Sequence, residues 1–335
     1  MLLHHRAQNE AQKHRRGGEG EDPHRIPALT ALVVAAGPAG AQDAFPDRAI
    51  TLVVPYAAGG GTDVLARMIQ PALSEELGVP IIIENASGGG TLVGTERVTR
   101  AGPDGYELLF TTSVVTLNTL AYRSPLYTMD DLVPVAPVSQ QPYFLIMNRE
   151  MPFDDIPGFV AYAQAHPAEI NYVSLGQASP TELLAGRLQH ALGIELTRVP
   201  YPGSGAAIPD LSSNRVQMQM TGASQNSASI PNMNILAVAG DERIALTPDV
   251  PTFAELGYPT MVGGTWFGVF APAGTPEAVV TRLARAFAAV RSTMDQTLND
   301  AGHYAIRMPD GFAAFIEADM SLWREDIQRM GIALE

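Results

Sequence analysis

The stretch from Leu52 to Leu77 constrains the fold more than any other part of the sequence. The β-branched run from Ile50 to Val54 predicts a strand that ends at Pro55. Three glycines follow, and apolar residues then recur at helical spacing, which predicts a helix that begins near Thr62 and stops at Gly78. A strand, a glycine loop and a helix N-terminus in this order favour anion binding, because unpaired N–H groups and the positive end of the helix dipole point at one place.

The glycine loop does not fit the common nucleotide-binding motifs. Gly61 is followed by Thr62 and Asp63, whereas a Walker loop ends in Gly-Lys-Ser/Thr. Val64 and Leu65 occupy the later positions of the dinucleotide-binding pattern GxGxxG. A plain tight turn between a strand and a helix stays open as an alternative. Asp63 is most simply a capping carboxylate, although its negative charge opposes an anion site.

Length and composition narrow the class of protein. The 335 residues exceed the usual size of one domain, so we expect two lobes. A net charge of −14 disfavours nucleic acid and anionic membranes as partners. The sequence has no cysteine, which excludes disulfides, thiolate nucleophiles and cysteine metal sites. After residue 41 the histidines are His166, His190 and His303, which are too scattered for a metal site, and no cofactor is expected.

Residues 1–41 have the pattern of an export signal. A basic stretch precedes an apolar run from Ile26 to Ala36, and Ala39-Gly40-Ala41 fits a small-residue cleavage site. The apolar run is too short to span a bilayer, so a membrane anchor is the weaker alternative. We expect cleavage near Ala41 and export of the remaining chain.

Further βα units follow the first helix. Ile81 to Ile83 and Tyr106 to Thr111 are predicted strands, and a helix from Val93 to Arg100 separates them. Successive βα units predict a parallel, doubly wound sheet, in which ligands bind beyond the carboxyl ends of the strands. The loops at those ends are Tyr56 to Thr62, Asn85 to Gly90 and Thr111 to Asn118.

A second αβ series repeats this construction. Its strand from Asn171 to Leu175 leads into a polar loop from Gly176 to Thr181, where Ser179 or Thr181 is predicted to cap the next helix. The strand from Thr265 to Phe270 is predicted to return to the first lobe, and two amphipathic helices, Glu277 to Met294 and Phe312 to Met330, form the tail. Two lobes with facing loops are the architecture of a clamshell binding protein.

Five motifs, in this order, cover nearly all of the chain after residue 41. They are Leu52 to Asp63 (LVVPYAAGGGTD), Pro103 to Tyr106 (PDGY), Val199 to Tyr201 (VPY), Pro248 to Phe253 (PDVPTF) and Trp266 to Pro276 (WFGVFAPAGTP). Together they resemble the solute receptors of tripartite tricarboxylate transporters, the TctC or Bug family.

The resemblance implies a type II periplasmic-binding-protein fold, an α/β fold with two doubly wound lobes joined by two crossover strands. It also implies a periplasmic, monomeric receptor without catalytic activity. Such a receptor holds a small carboxylate, largely through main-chain N–H groups, and delivers it to the large and small membrane subunits of the transporter.

The sequence departs from the family pattern in the half that is expected to set specificity. Thr91 and Leu92 stand where the family usually has Gly-Asn, Pro202 replaces a Lys or Arg, and Thr221-Gly222 replaces Asp-Asn. The resemblance therefore leaves the ligand open among dicarboxylates, tricarboxylates, aromatic acids and acidic amino acids.

The predicted ligand-binding residues come from loops of both lobes. They are Tyr56, Ala58, Gly59, Gly60, Thr62, Asp63, Thr112 and Ser113 in the first lobe and Gln177, Ser179, Thr181 and Tyr201 in the second. Two alternatives remain: an enzyme on the same fold, such as a lyase or hydrolase using Asp63 and Glu182 as a titratable pair, and a subunit that senses the ligand for a signalling protein.

The predicted lobe boundaries follow from the two crossings. The first lobe comprises residues 42–142 and 265–335, and the second comprises residues 143–264. The crossings are expected near Pro142 to Leu145 and near Thr265 to Gly268. Trp266 lies in the second crossing and is expected to report closure of the lobes, with Trp323 in the last helix as a silent reference.

Overall fold

The computed structural model describes residues 45–176, 178–201 and 203–332, so the predicted export segment lies outside the described residues. The strands of the described part are β1 (Ile50–Val54), β2 (Ile81–Asn85), β3 (Glu107–Thr112), β4 (Leu132–Asn148), β5 (Asn171–Ser174), β6 (Thr197–Pro200), β7 (Met218–Gly222), β8 (Met233–Ala239) and β9 (Gly264–Pro272). Its α-helices are α1 (Gly61–Leu77), α2 (Leu92–Thr99), α3 (Val114–Ala121), α4 (Ile156–Ala165), α5 (Pro180–Leu192), α6 (Ser204–Ser212), α7 (Gln225–Ala228), α8 (Glu277–Thr293), α9 (Asp295–Asp300) and α10 (Phe312–Met330). Among these described helices, none has both the length and the apolar character that a membrane span requires.

One long strand, β4, joins two halves of the sheet. The first half has the order β2-β1-β3-β9-β4, and in the second half β4 lies between β8 and β7, followed by β5 and β6. β1, β2 and β3 are parallel, which confirms the doubly wound arrangement predicted from successive βα units. β4 pairs with β9 up to Pro142, and from Tyr143 onward it pairs with β7 and β8.

The first part of β4 was not predicted, because it is interrupted by proline. Its register against β9 shifts between Pro134 and Ala136 and again between Pro137 and Ser139. Proline has no N–H to donate to a neighbouring strand, so it is tolerated where the ladder is irregular. The strand therefore begins at Leu132, well before the crossing that the sequence predicts near Pro142 to Leu145.

The two crossings between the halves lie side by side. Pro142 is aligned with Gly264, and the amide of Tyr143 donates to the carbonyl of Gly263 at 3.1 Å. A Cβ on Gly264 would collide with the carbonyl oxygen of Gln141, so only glycine allows this close approach.

Strand directions bring the predicted binding loops to the crossing from both sides. β9 is antiparallel to both β3 and β4, so β1 and β3 run with β4 and their carboxyl ends point toward the crossing. β5 and β6 are parallel to β7, which is antiparallel to β4, so their carboxyl ends point back toward the same level. The loops that follow β1, β3 and β5 therefore face one another, as the clamshell interpretation predicts.

Helices cover both faces of each half. In the first half α1 and α8 pack on one face, and α2 and α10 on the other. In the second half α4 and α5 pack on one face and α6 on the other. Fully buried side chains in these layers include Leu52, Leu65, Phe110, Phe144, Phe159 and Phe270.

The last helix, α10, connects the two halves. Trp323 of α10 packs with Leu117 of α3 in the first half and Leu183 of α5 in the second. The buried Arg187 of α5 donates through Nε to Asp326 of α10 at 2.9 Å. Removing one partner of a buried ion pair leaves an uncompensated charge, so this contact fixes α10 to the second half.

Both tryptophans donate to a single carboxylate. The indole N–H groups of Trp266 and Trp323 donate to the same Oδ2 of Asp319, at 2.8 and 3.0 Å. The two indoles therefore share one acceptor, which removes the physical basis for treating Trp323 as a silent reference, because any change at Asp319 reaches both rings. Burial raises the pKa of Asp319 from 3.8 to about 6.

We predict that tryptophan emission titrates with a midpoint near pH 6 in the native protein, and that the Asp319→Asn variant lacks this transition. Because the pKa of Asp319 is higher in the folded state, its stabilising contribution is present at pH 4 and is lost as the pH rises through about 6. Fluorescence titration and urea unfolding at pH 4, 5, 6 and 7 measure both effects. An unchanged titration in Asp319→Asn would assign the transition to another group.

Candidate functional site

The loop between β1 and α1 presents free backbone donors. The amide of Gly59 donates to Asp63 Oδ2 at 2.8 Å, and the amide of Gly60 donates to the carbonyl of Ala57 at 3.2 Å. Within the described chain, the amides of Gly61, Thr62 and Asp63 have no acceptor, as expected for the first turn of a helix. Of the residues predicted from this loop, Gly59 and Gly60 thus have paired amides and Thr62 and Asp63 have free ones, and Gly61, which was not predicted, supplies the third free donor.

The left-handed residue of this loop is Gly59, with a φ of +80°. Gly60 has a φ of −72° and a ψ of 162°, an extended conformation that any residue adopts. The sequence pattern does not distinguish these two glycines, but the structure does. Gly59 is required for the backbone path, whereas Gly60 is the N-cap and has no such constraint.

Asp63 is a buried carboxylate that closes the loop. Besides the amide of Gly59, it accepts hydrogen bonds from Arg67 Nε at 3.0 Å and from Asn85 Nδ2 at 3.0 Å. The Arg67 hydrogen bond is the largest cause that lowers the pKa of Asp63 from 3.8 to about 2. Arg67 also compensates the charge of the carboxylate. Asp63 therefore does not cancel the positive end of the α1 dipole. Its negative charge, which the sequence analysis set against an anion site, is compensated within the loop.

Tyr56, Thr112 and Ser113 lie together at the ends of β1 and β3. The hydroxyls of Tyr56 and Thr112 are 2.6 Å apart, and burial raises the pKa of Tyr56 to about 12. Ser113 is fully buried, and its hydroxyl has no partner among the described residues. The structure thus brings three predicted residues to the same edge as the α1 loop, although only Tyr56 and Thr112 bond to each other.

The loop between β5 and α5, in the second half, offers fewer free backbone donors and more hydroxyls than the loop before α1. Ser179, one of the two residues predicted for this role, is the N-cap of α5, and its Oγ accepts from the amide of Glu182 at 3.4 Å. The hydroxyls of Ser179 and Thr181 are 3.2 Å apart. Pro180 has no N–H, so in the part of this loop that the structure describes the free donor of the first turn is the amide of Thr181. The predicted residue Gln177 lies outside the described residues.

Glu182 repeats in α5 the arrangement of Asp63 in α1. Each is the third residue of its helix, each is buried, and each follows a buried threonine. Glu182 accepts a hydrogen bond from Ser174 Oγ at 2.6 Å, and its Oε1 lies 3.0 Å from Arg198 Nε. We call these two contacts, Asp63 with Arg67 and Glu182 with Arg198, the carboxylate–arginine pairs.

Because Asp63 and Glu182 each form an ion pair with an arginine, they do not act together as an acid–base pair. Asp63 and Glu182 were the titratable pair on which the enzyme alternative depended. Each is committed to its own arginine, and the low pKa of Asp63 keeps that carboxylate ionised at neutral pH. In addition, no group of three or more histidine or acidic residues within the described ranges can hold a metal ion.

The hydroxyl of Tyr201 is not free to contact a ligand, because it makes a hydrogen bond within the protein. Its hydroxyl donates to Asp210 Oδ2 at 2.8 Å, and its amide donates to the carbonyl of Ser174 at 2.8 Å. The ring packs in the core beneath α6. The Tyr201 side chain is therefore engaged away from the loop, while its backbone lies at the carboxyl end of β5.

Three residues of this arrangement were not among the sequence candidates. Arg67 follows Asp63 at helical i,i+4 spacing, a signal that the sequence contains. Asn85 and Arg198 come from neighbouring parallel strands, β2 and β6, and their contacts depend on strand pairing. No short-range pattern in the sequence identifies them.

A cavity of about 650 Å³ lies elsewhere, on the α10 side of the crossing. None of the predicted ligand-binding residues that the structure describes lines it. Its buried cation, Arg187, is already paired with Asp326, so that charge is not free to hold an anion. The loop edge, with its unpaired amides, is the better candidate for binding a negative charge. The residues around the cavity include Pro142, Arg187, Gly263, Trp266, Phe315, Asp319 and Trp323.

Comparisons with known proteins show the family of this chain. Residues 65–332 match the family model of the tripartite tricarboxylate transporter family receptor, TctC. BugT of Bordetella pertussis is 31% identical over 301 residues, which is 88% of this chain and 92% of BugT. The structure of R. palustris Rpa4515 with adipate is similar, with a TM-score of 0.76, 31% identity and coverage of 86% of this chain and 99% of that one. MatC of Rhodopseudomonas palustris with bound malate has a TM-score of 0.71, 30% identity and coverage of 84% and 100%. These similarities confirm the family and the fold class that the motifs indicate.

We predict that Asp63→Asn lowers the free energy of unfolding by about 2 kcal/mol at pH 7, because hydrogen bonds to a charged group are lost. The pKa of Asp63 is lower in the folded state, so its stabilising contribution is present above pH 4 and is lost as the pH falls toward 2. Urea unfolding measures the change.

Glu96→Gln is the matched control, since Glu96 and Arg100 form an exposed i,i+4 pair on the next helix. Such a pair contributes at most about 1 kcal/mol. Equal losses in the two variants would contradict the role assigned to Asp63.

Proposed function

Because this chain belongs to the receptor family of the tripartite tricarboxylate transporters, we propose that it captures a small carboxylate between its two lobes for delivery to the membrane subunits of such a transporter. Members of this family are solute receptors and not enzymes. The observation that carries the proposal is the set of unpaired amides of Gly61, Thr62 and Asp63 at the N-terminus of the 17-residue α1. A carboxylate placed there gains charge-assisted hydrogen bonds and the field of the helix dipole.

The ligands of two relatives support the same chemical class. The R. palustris protein was solved with adipate and MatC with malate, and both molecules are dicarboxylates. On this chain we assign the contact with one carboxylate to the loop before α1. Tyr56, Ala58, Gly59, Gly60, Thr62, Asp63, Thr112 and Ser113 form the first-lobe side of the proposed site, and Gln177, Ser179, Thr181 and Tyr201 form the second-lobe side.

The lobes of the proposed receptor are residues 42–142 with 265–335, and residues 143–264. The change of strand partners at Pro142 and Tyr143 supports the first boundary, and the contacts of Gly263 and Gly264 support the second. Family members are periplasmic binding proteins, and we propose that this chain reaches the periplasm as a monomer after cleavage near Ala41.

The proposed function is tested by calorimetry with a library of carboxylates, each matched to its amide. We expect saturable binding of at least one dicarboxylate, tricarboxylate, aromatic acid or acidic amino acid. The full amide of that ligand has no negative charge for the α1 amides to stabilise, so it is expected to bind at least tenfold more weakly. Equal affinity for acid and amide would refute the carboxylate proposal.

We predict that Gly61→Ala weakens carboxylate binding without loss of stability. Gly61 has helical geometry and open space around the position of an added Cβ, so alanine fits the fold. That Cβ tilts toward the helix N-terminus, into the space that a ligand needs in front of the free amides.

Two further variants separate binding from folding in this test. Gly59→Ala is expected to lose about 1–2 kcal/mol of stability, because its φ is left-handed. Gly102→Ala, which also has open space but lies before β3, is expected to change neither property. Unaltered binding in Gly61→Ala would place the ligand elsewhere. Calorimetry and thermal unfolding measure the two effects.

A further inference from the structure

Arg198 is the cation of the second carboxylate–arginine pair, and it differs from Arg67 in its origin. Arg67 lies in α1 itself, one turn beyond Asp63, whereas Arg198 comes from the neighbouring strand β6. Its Nε is 3.1 Å from Ser174 Oγ, at the last residue of β5. The guanidinium therefore lies at the carboxyl end of the second-lobe strands, beside the loop that leads into α5.

The guanidinium of Arg198 is held at one end and open at the other. Its Nε donates to Ser174 Oγ and lies 3.0 Å from Glu182 Oε1. The two Nη atoms have no acceptor within the described residues, and the side chain is 42% exposed. A planar guanidinium fixed through Nε presents its Nη donors in a set orientation, which suits a second carboxylate.

The second-lobe loop needs such a donor for a ligand with two acidic groups. The first lobe supplies three consecutive free amides for one carboxylate. Since Pro180 occupies the first position of α5, the described part of the second-lobe loop supplies the amide of Thr181 and two hydroxyls. These groups alone are weak partners for a full negative charge, in contrast to a guanidinium.

We propose that Arg198 is a specificity-determining residue that binds the second acidic group of a dicarboxylate whose first carboxylate lies at the N-terminus of α1. This inference rests on the proposed function, because it assigns the far end of the same ligand. Arg198 would thereby make a carboxylate receptor bind dicarboxylates more tightly than monocarboxylates. The buried Glu182 keeps Arg198 in place, and the ligand binds on the open side of the guanidinium.

The test uses succinate, glutarate and adipate, each paired with its monoamide (succinamate, glutaramate and adipamate), in calorimetry on the full exported chain. In the unaltered protein at least one diacid is expected to bind about tenfold or more tightly than its monoamide. In Arg198→Gln the ratio of the two affinities is expected to fall to near one, while the affinity for the monoamide is retained. A merely structural role of Arg198 would lower both affinities together.

Two control variants separate the outcomes. Arg198→Gln combined with Glu182→Gln removes the buried uncompensated charge and is expected to show the same loss of selectivity with a restored melting temperature. Arg215→Gln changes an exposed second-lobe arginine, paired with Asp210, and is expected to leave the ratio unchanged. If diacids bind selectively in all variants, the role of Arg198 is refuted and the proposed function stands. If no acid binds the unaltered protein in this series or in the wider carboxylate library, the proposed function itself fails.

Discussion

The ion pair between Asp63 and Arg67 is the interaction on which the proposed site depends. A free carboxylate in the first turn of α1 would repel an anion at the same helix terminus. Arg67 compensates that charge, and Asn85 fixes the carboxylate to the neighbouring strand. The carboxylate in turn holds the amide of Gly59, which sets the path of the loop. The first-turn amides are unpaired, as at the start of any helix, and they are the chemical feature on which the proposed site rests.

The same arrangement appears in the second lobe with a different outcome. Glu182 occupies the position of Asp63, but its arginine comes from a strand, and its helix begins with proline. The loop before α1 therefore offers free amides. The loop before α5 offers hydroxyls, and beside it lies the open side of the Arg198 guanidinium. β4 runs through both halves of the sheet as one continuous strand, and α10 packs against both halves. We therefore expect closure of the lobes to involve the crossing at Gly263 and Gly264 and the contacts of α10 together.

Local signals were sufficient to predict the glycine loop before α1, a cap of α5 at Ser179 or Thr181, and the last helix. The bounds of α10, Phe312–Met330, are those predicted from the amphipathic pattern. Contacts between distant residues were not predictable, as Asn85 and Arg198 show, because they arise only when strands pair. The first part of β4 was missed since proline hides its strand pattern, and the difference between Gly59 and Gly60 depends on backbone angles that the sequence does not contain.

The most direct test of the account is to titrate the ¹⁵N-labelled protein with a dicarboxylate that it binds and to measure the chemical shifts of the backbone amides. The amide protons of Gly61 and Thr62 are unpaired, so hydrogen bonding to a carboxylate is expected to shift them downfield and saturably. The amides of Gly59 and Gly60 already have acceptors and are expected to move less. Largest shifts around Trp323, in the cavity beside α10, with Gly61 and Thr62 unmoved, would contradict the account.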